Sequence, residues 1–169
     1  MFLIDSSALI TAKNHYYQFD RVPQFWDWLQ YQVESGRVQT PAEIYEEITK
    51  QDDELKMWAE SIKDALIVSD GAYDKKLLTV LAKYKDEEGN ISPQGLIKMG
   101  ADPYLIACAL HTGWTVVTGE VSAPKRTLHN RRIPDICDLL KIQWTNIHGL
   151  WNKEGLINLL DFKTNWKQP

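Results

Sequence analysis

The sequence is poor in cysteine, in long apolar runs and in charge of one sign. Its 169 residues hold two cysteines, Cys108 and Cys137, both in apolar surroundings. Two thiols make no disulfide framework, and their spacing fits no zinc motif. They read as small buried residues of a reducing compartment. No apolar run reaches the roughly 20 residues that a membrane-spanning helix needs, and the N-terminus enters an apolar strand without a basic leader. The expectation is a cytoplasmic protein with no membrane association. A net charge of −4 excludes a polycation, though a site built from carboxylates would itself make the total negative. The four histidines, His15, His111, His129 and His148, show no metal-ligand spacing. There is no internal repeat, low-complexity stretch or interdomain linker. At 44% hydrophobic and 25% charged, residues 1–169 read as one domain large enough to bury a core.

What is present begins with the first ten residues. Phe2, Leu3 and Ile4 form an unbroken apolar run, suited to a strand buried on both faces. Asp5 ends it, and Ser6 to Ile10 read as the first turns of a helix. A carboxylate therefore stands at the C-terminal edge of a buried strand, where open α/β sheets place their ligands. Further along, Pro23 opens a helix carrying Phe25, Trp26, Trp28, Leu29 and Val33, closed by Gly36. Lys13 to Asp20 reads as a loop. Arg37 to Thr40 is a short strand, followed by a helix from Pro41 with Glu43, Glu46 and Glu47. Asp53 caps the next helix, Leu66 to Val68 is extended, and Tyr73 to Tyr84 is amphipathic. Ser92-Pro93 starts a short helix ending near Gly100, and Asp102-Pro103 opens an apolar one. Thr115 to Thr118 is the second clear strand, followed by Gly119-Glu120 and a basic loop. Ile133 reads as extended, Pro134 to Leu140 as a helix, Ile142 to Trp144 as a last strand, and Ile147 to Leu160 as a last helix. The alternation predicts a three-layer α/β/α sandwich with a central, mostly parallel sheet.

Four acids stand in comparable places: Asp5 and Glu120 after strands, Glu47 and Asp102 on helices that follow the sheet edge. Grouped carboxylates without His or Cys suit hard cations, Mg2+ or Mn2+. Each has a simpler alternative. Asp5 and Asp102 fit helix caps, Glu47 a solvated helix charge, Glu120 a loop acid. Asp135 after Pro134 most resembles a cap. Ser7 and Thr118 are hydroxyls that could support the acids or serve locally. A one-residue error between Glu46 and Glu47 turns the side chain ~100° around the helix, and both remain open at this point.

These segments resemble PIN domains, metal-dependent nucleases with an α/β/α fold. Phe2-Leu-Ile-Asp5-Ser-Ser-Ala-Leu9 looks like the family's opening, and Pro41 to Ile48 like the segment bearing its Glu. Asp102-Pro-Tyr-Leu-Ile-Ala-Cys-Ala109 resembles its third motif and Val116-Val-Thr-Gly-Glu120 its fourth. Ser7 replaces a common Asn and Glu120 a common Asp. Ala12 to Tyr17, Phe19-Asp20 and Phe25 to Leu29 resemble a branch of proposed toxins from prokaryotic toxin–antitoxin pairs. The resemblance implies that Asp5, Glu47, Asp102 and Glu120 are the metal ligands and catalytic acids, supported by Ser7 and Thr118. It implies cleavage of RNA phosphodiesters by metal-activated water, and a cognate antitoxin as partner.

Lys125, Arg126, His129, Arg131 and Arg132 form a dense basic run, expected either to touch RNA phosphates or to be a solvated loop. Lys13 and His15 are weaker members of the same class. Seven tryptophans are many for this length. With the family resemblance they raise the expectation of a homodimer. An inactive PIN-like interaction module, acting through Trp26, Trp28, Tyr16 and Tyr17, is the alternative. A haloacid-dehalogenase-type phosphatase would need a second Asp two residues after the first, where Ser7 stands.

Overall fold

The structure, a computed structural model, describes residues 1–153. The first strand, β1 (Phe2–Ile4), is buried along its whole length. It lies between β2 (Val38–Gln39) and β3 (Thr115–Val117), both parallel to it, with Phe2 opposite Val38 on one side and Thr115 on the other. On the far side of β3 lies β4 (Trp144–Thr145), also parallel. The order is β2-β1-β3-β4. Strands buried on both faces need apolar residues at every position, which is why the unbroken run at the N-terminus is the central strand. The expected strand at Leu66 to Val68 reduces to one parallel bridge between Thr40 and Ile67.

Helices cover the sheet in an α/β/α sandwich: α1 (Ser6–Thr11), α2 (Pro23–Glu34), α3 (Ala42–Ile48), α4 (Glu54–Ser61), α5 (Lys63–Leu66), α6 (Asp74–Leu81), α7 (Pro93–Met99), α8 (Asp102–Thr112), α9 (Ile133–Leu140) and α10 (Ile147–Lys153). Local signals set their ends. Pro occupies the first turn of α2, α7, α8 and α9, where its missing N–H costs nothing. The Asp53 carboxylate accepts the Leu55 and Lys56 amides at the start of α4. Gly36 and Gly113 take positive φ after α2 and α8. Helix α8 is buried along most of its length and packs on α6, α9 and β3. No helix of the described residues is long and apolar enough to cross a membrane.

Four expectations change. Lys13 to Asp20 is not all loop, because Ala12–Tyr16 continues α1 as a π-helix. The Tyr17 amide closes that wide turn on the Ala12 carbonyl at 2.6 Å, and the Tyr17 ring stacks on Phe25 at 4.4 Å. Ile133 begins α9 rather than a strand. The last strand sits one or two residues later than its apolar run. Trp26 and Trp28 are buried, Trp26 beneath Phe19 at 3.9 Å and edge-on to Trp58, so neither presents an aromatic surface. The expected helix from Ile147 to Leu160 is seen to Lys153, and its remainder lies outside the described residues.

Candidate metal centre

The crossing point of the chain lies between β1 and β3, since β2 follows β1 on one side and β3 returns on the other. Ligands of open α/β sheets sit outside the strand ends at such a point. Asp5 leaves β1 there. It occupies the N-cap position of α1 but makes no capping bond. Its Oδ2 instead accepts the Thr118 hydroxyl at 2.9 Å and, closer still, the Ser7 hydroxyl. These bonds stitch β1 to the end of β3. Ser7 Oγ also accepts the Gly119 amide at 3.0 Å, and Thr118 Oγ1 accepts the Glu120 amide at 3.1 Å. A side chain at position 119 would bring a Cβ to 2.9 Å from the Ser7 carbonyl oxygen, so this approach needs glycine. Asp5 is 1% exposed. Burial pushes its pKa up to about 6, the Ser7 and Thr118 hydroxyls pull it down, and the charges of Glu120 and Glu47 raise it again.

Glu47 reaches the same edge from α3. Its Oε2 accepts the Ser6 hydroxyl at 2.9 Å and its Oε1 the Ala101 amide at 3.0 Å. It thus spans the residue after Asp5 and the residue before Asp102. Glu46 is exposed, which settles which of the two acids faces inward. Gly100 makes room, because a Cβ there would lie 2.7 Å from Glu47 Oε1, and its φ of +51 disfavours any other residue.

Asp102 begins α8, yet Ala101 is the N-cap and no capping bond forms. Among the described residues its carboxylate has no hydrogen-bond or ion-pair partner. Burial raises its pKa to about 8, with the charges of Asp5, Glu120 and Glu47 adding and Arg132 opposing. Near it lies Tyr84, whose buried hydroxyl also lacks a partner among the described residues.

Glu120 is engaged differently. Arg132 Nη1 donates a short bond to Oε1, and the Ile133 amide donates to Oε2 at 2.8 Å. The clamp closes the basic loop of residues 121–132 back on the sheet edge. Asp135 anchors the same loop. It accepts the Ser122 hydroxyl at 2.7 Å and the amides of Ala123 and Arg132 at 3.0 and 3.3 Å. Arg131 donates to the Lys83 carbonyl at 2.6 Å, while Lys125 and Arg126 are exposed. Lys13 pairs with Asp53.

Asp5, Glu47, Asp102 and Glu120 therefore act on one another's charge from four separate elements. Among the described residues, no three carboxylate, histidine or cysteine groups form a ready cage for an ion. The donor set still fits Mg2+ or Mn2+. Every donor is oxygen, and among the described residues Asp102 has no hydrogen-bond or ion-pair partner, with only the charge of Arg132 to offset the neighbouring acids. Mg2+ is usually held by one or two carboxylates and keeps several waters rather than taking an all-protein cage. Asp5 and Asp102 would supply those carboxylates, with Glu47 and Glu120 bearing on the waters around them.

Sequence reasoning missed Gly100, Gly119, Tyr84 and the partnership of Arg132 with Glu120. The glycines carried a signal, each lying one or two residues before a candidate acid. The other two carried none, because their roles depend on contacts made only in the fold. A comparison with curated proteins returns no match. A family model does match, over residues 2–157, and by that match the chain belongs to the family described as a domain of unknown function, DUF4411.

Proposed function

We propose that this protein is an endoribonuclease that cleaves RNA phosphodiesters with water activated by Mg2+ or Mn2+, acting in the cytoplasm as the toxin of a type II toxin–antitoxin pair. The observation that carries the reading is Asp102. Its half-buried carboxylate feels the charge of Asp5 and has no hydrogen-bond or ion-pair partner among the described residues, at the crossing point of a parallel sheet. Such a group is costly unless a cation joins it. The ion, when bound, supplies an activated water and offsets the charge that grows on the phosphate.

The chain's own residues supply position. Thr118 and Ser7 hold Asp5 in one orientation through its Oδ2, and Glu47 braces the starts of α1 and α8. The exposed Lys125 and Arg126, on the loop that the Arg132–Glu120 pair closes against the sheet edge, offer positive charge to RNA phosphates. No protein nucleophile is involved, so no covalent intermediate forms. The cognate antitoxin and a second copy of the chain are the protein partners this reading calls for.

The test is cleavage of a single-stranded RNA by the full chain with Mg2+ or Mn2+, with excess chelator, and with Asp5→Asn. Cleavage should need the ion. Asp5→Asn should cost more than the ~10–100-fold typical of groups that only orient metal ligands. Activity that survives both chelation and Asp5→Asn sinks the reading. Metal binding without any cleavage would instead favour an inactive interaction module.

A further inference from the structure

Beside Glu120 lies a cavity of about 360 Å3, in the range of small-ligand sites, which begins at about 300 Å3. Gly119 and Glu120 form part of its wall. The Glu120 amide bonds Thr118 Oγ1, and that hydroxyl bonds Asp5 Oδ2. A ligand in this cavity would therefore sit next to the acid cluster without occupying it.

Its walls are ring-rich. Tyr16, Trp144 and His148 all line it. Tyr16 is 55% exposed and meets His148 edge-on at 5.6 Å. The neighbouring Tyr17 is stacked on Phe25 of the core, so the π-helical turn offers Tyr16 from a fixed base. The Trp144 indole donates to Asp138 at 2.8 Å, which orients its ring. Asn146 Oδ1 accepts the Gly149 amide at 2.9 Å, leaving its amide N–H groups as donors at the cavity wall.

Among the described residues no lysine or arginine lines the cavity, while Glu120 does. That charge pattern turns away a phosphate and accepts a neutral flat ring. Every base has a π-face that stacks on aromatic side chains, and single-stranded RNA can splay a base out where a duplex cannot. We propose that this cavity is a stacking subsite for one unpaired nucleobase next to the scissile phosphate, restricting the substrate to single-stranded RNA. The proposal rests on the nuclease reading above for its substrate.

The test uses full-length protein carrying Asp5→Asn in Mg2+ and the fluorescence anisotropy of a labelled single-stranded oligoribonucleotide. Adding Tyr16→Ala or Trp144→Ala should weaken binding about tenfold each, the size of one lost base–aromatic stack. Tyr16→Phe should bind like the parent. An oligonucleotide of abasic sites should bind the parent and the alanine variants equally. Thermal melts guard against misfolding at Trp144, and exposed Tyr16 provides the second variant. In chain with Asp5 intact, the same substitutions should raise KM and leave kcat unchanged. Unchanged affinity of both alanine variants for the base-bearing oligonucleotide overturns the subsite. Metal-dependent cleavage with unchanged KM in both variants also overturns it while the nuclease reading stands. Ring-dependent binding without cleavage in either ion overturns the nuclease reading while the subsite stands.

Discussion

Asp5 is buried and Asp102 half-buried, and each carboxylate that feels another's charge resists ionising together with it. Burial is the main cause that lifts Asp102 to about 8 and Asp5 to about 6, from an ordinary value of 3.8. Both folded values exceed the unfolded one, so the folded chain keeps protons that the unfolded chain releases. Their contribution to stability is then complete below about pH 4 and is lost as pH rises, through about 6 for Asp5 and about 8 for Asp102. The chelated protein should melt at a lower temperature at high pH than at pH 5. Asp102→Asn removes the charge but keeps the shape. It should raise the melting temperature of the chelated protein near pH 9 by about 2–8 °C, the equivalent of about 1–2 kcal/mol for a chain of this size. No gain from Asp102→Asn would show that the acids do not burden one another. From the sequence this aspartate could not be separated from a helix cap; in the fold Ala101 takes the cap position and Asp102 lies one residue inside α8 without a capping bond. Glu46 and Glu47 were equally inseparable. The partners that decide between them, Ser6 and Ala101, lie 41 and 54 residues from Glu47 in the chain.

At the scale of elements, the junction between α7 and α8 holds the clearest dependence of the site on backbone shape. Gly100 combines φ +51 with ψ −127, a conformation disfavoured for any residue with a Cβ. Glu47 Oε1 fills the space a methyl group would take. Gly100→Ala should therefore cost about 1–3 kcal/mol of stability and also displace Glu47 from Ala101, so that RNA cleavage falls further than stability explains. Gly36→Ala is the matched control. It carries the same kind of strain, with φ +69, but meets nothing within 4 Å. It should lower the melting temperature and leave cleavage intact, and equal loss of cleavage in both variants would remove Glu47 from the site. Elements with plain local signals were legible: the apolar run of β1, the proline starts, the glycine after α2. The π-helical turn was not, because only Ala12 of its five residues is buried and no apolar period marks it. The basic run looked like one phosphate-binding loop, yet Arg131 and Arg132 are bonded to Lys83 and Glu120 within the fold.

Across the whole molecule, folding brings together acids from the end of β1, from α3, from the start of α8 and from the loop after β3, in a chain whose net charge is already −4. In the unfolded chain these groups are far apart and bind a divalent ion weakly. An ion that binds only the folded form stabilises it by RT ln(1 + [L]/Kd), about 2.7 kcal/mol at a hundredfold excess over Kd. For a chain of this length that corresponds to a rise in melting temperature of about 5–11 °C. Mg2+ and Mn2+ should both produce it. The rise should be larger near pH 8.5 than near pH 5.5, because at low pH the ion must displace the protons that Asp5 and Asp102 retain. Asp102→Asn should abolish most of the rise while folding normally in its absence. Thermal melts over a series of ion concentrations at the two pH values measure all of this without RNA. If melting temperature stays flat in millimolar Mn2+ at pH 8.5, or if Asp102→Asn responds as strongly as the native sequence, the gathered acids hold no ion, and the crossing point of the sheet serves some other chemistry.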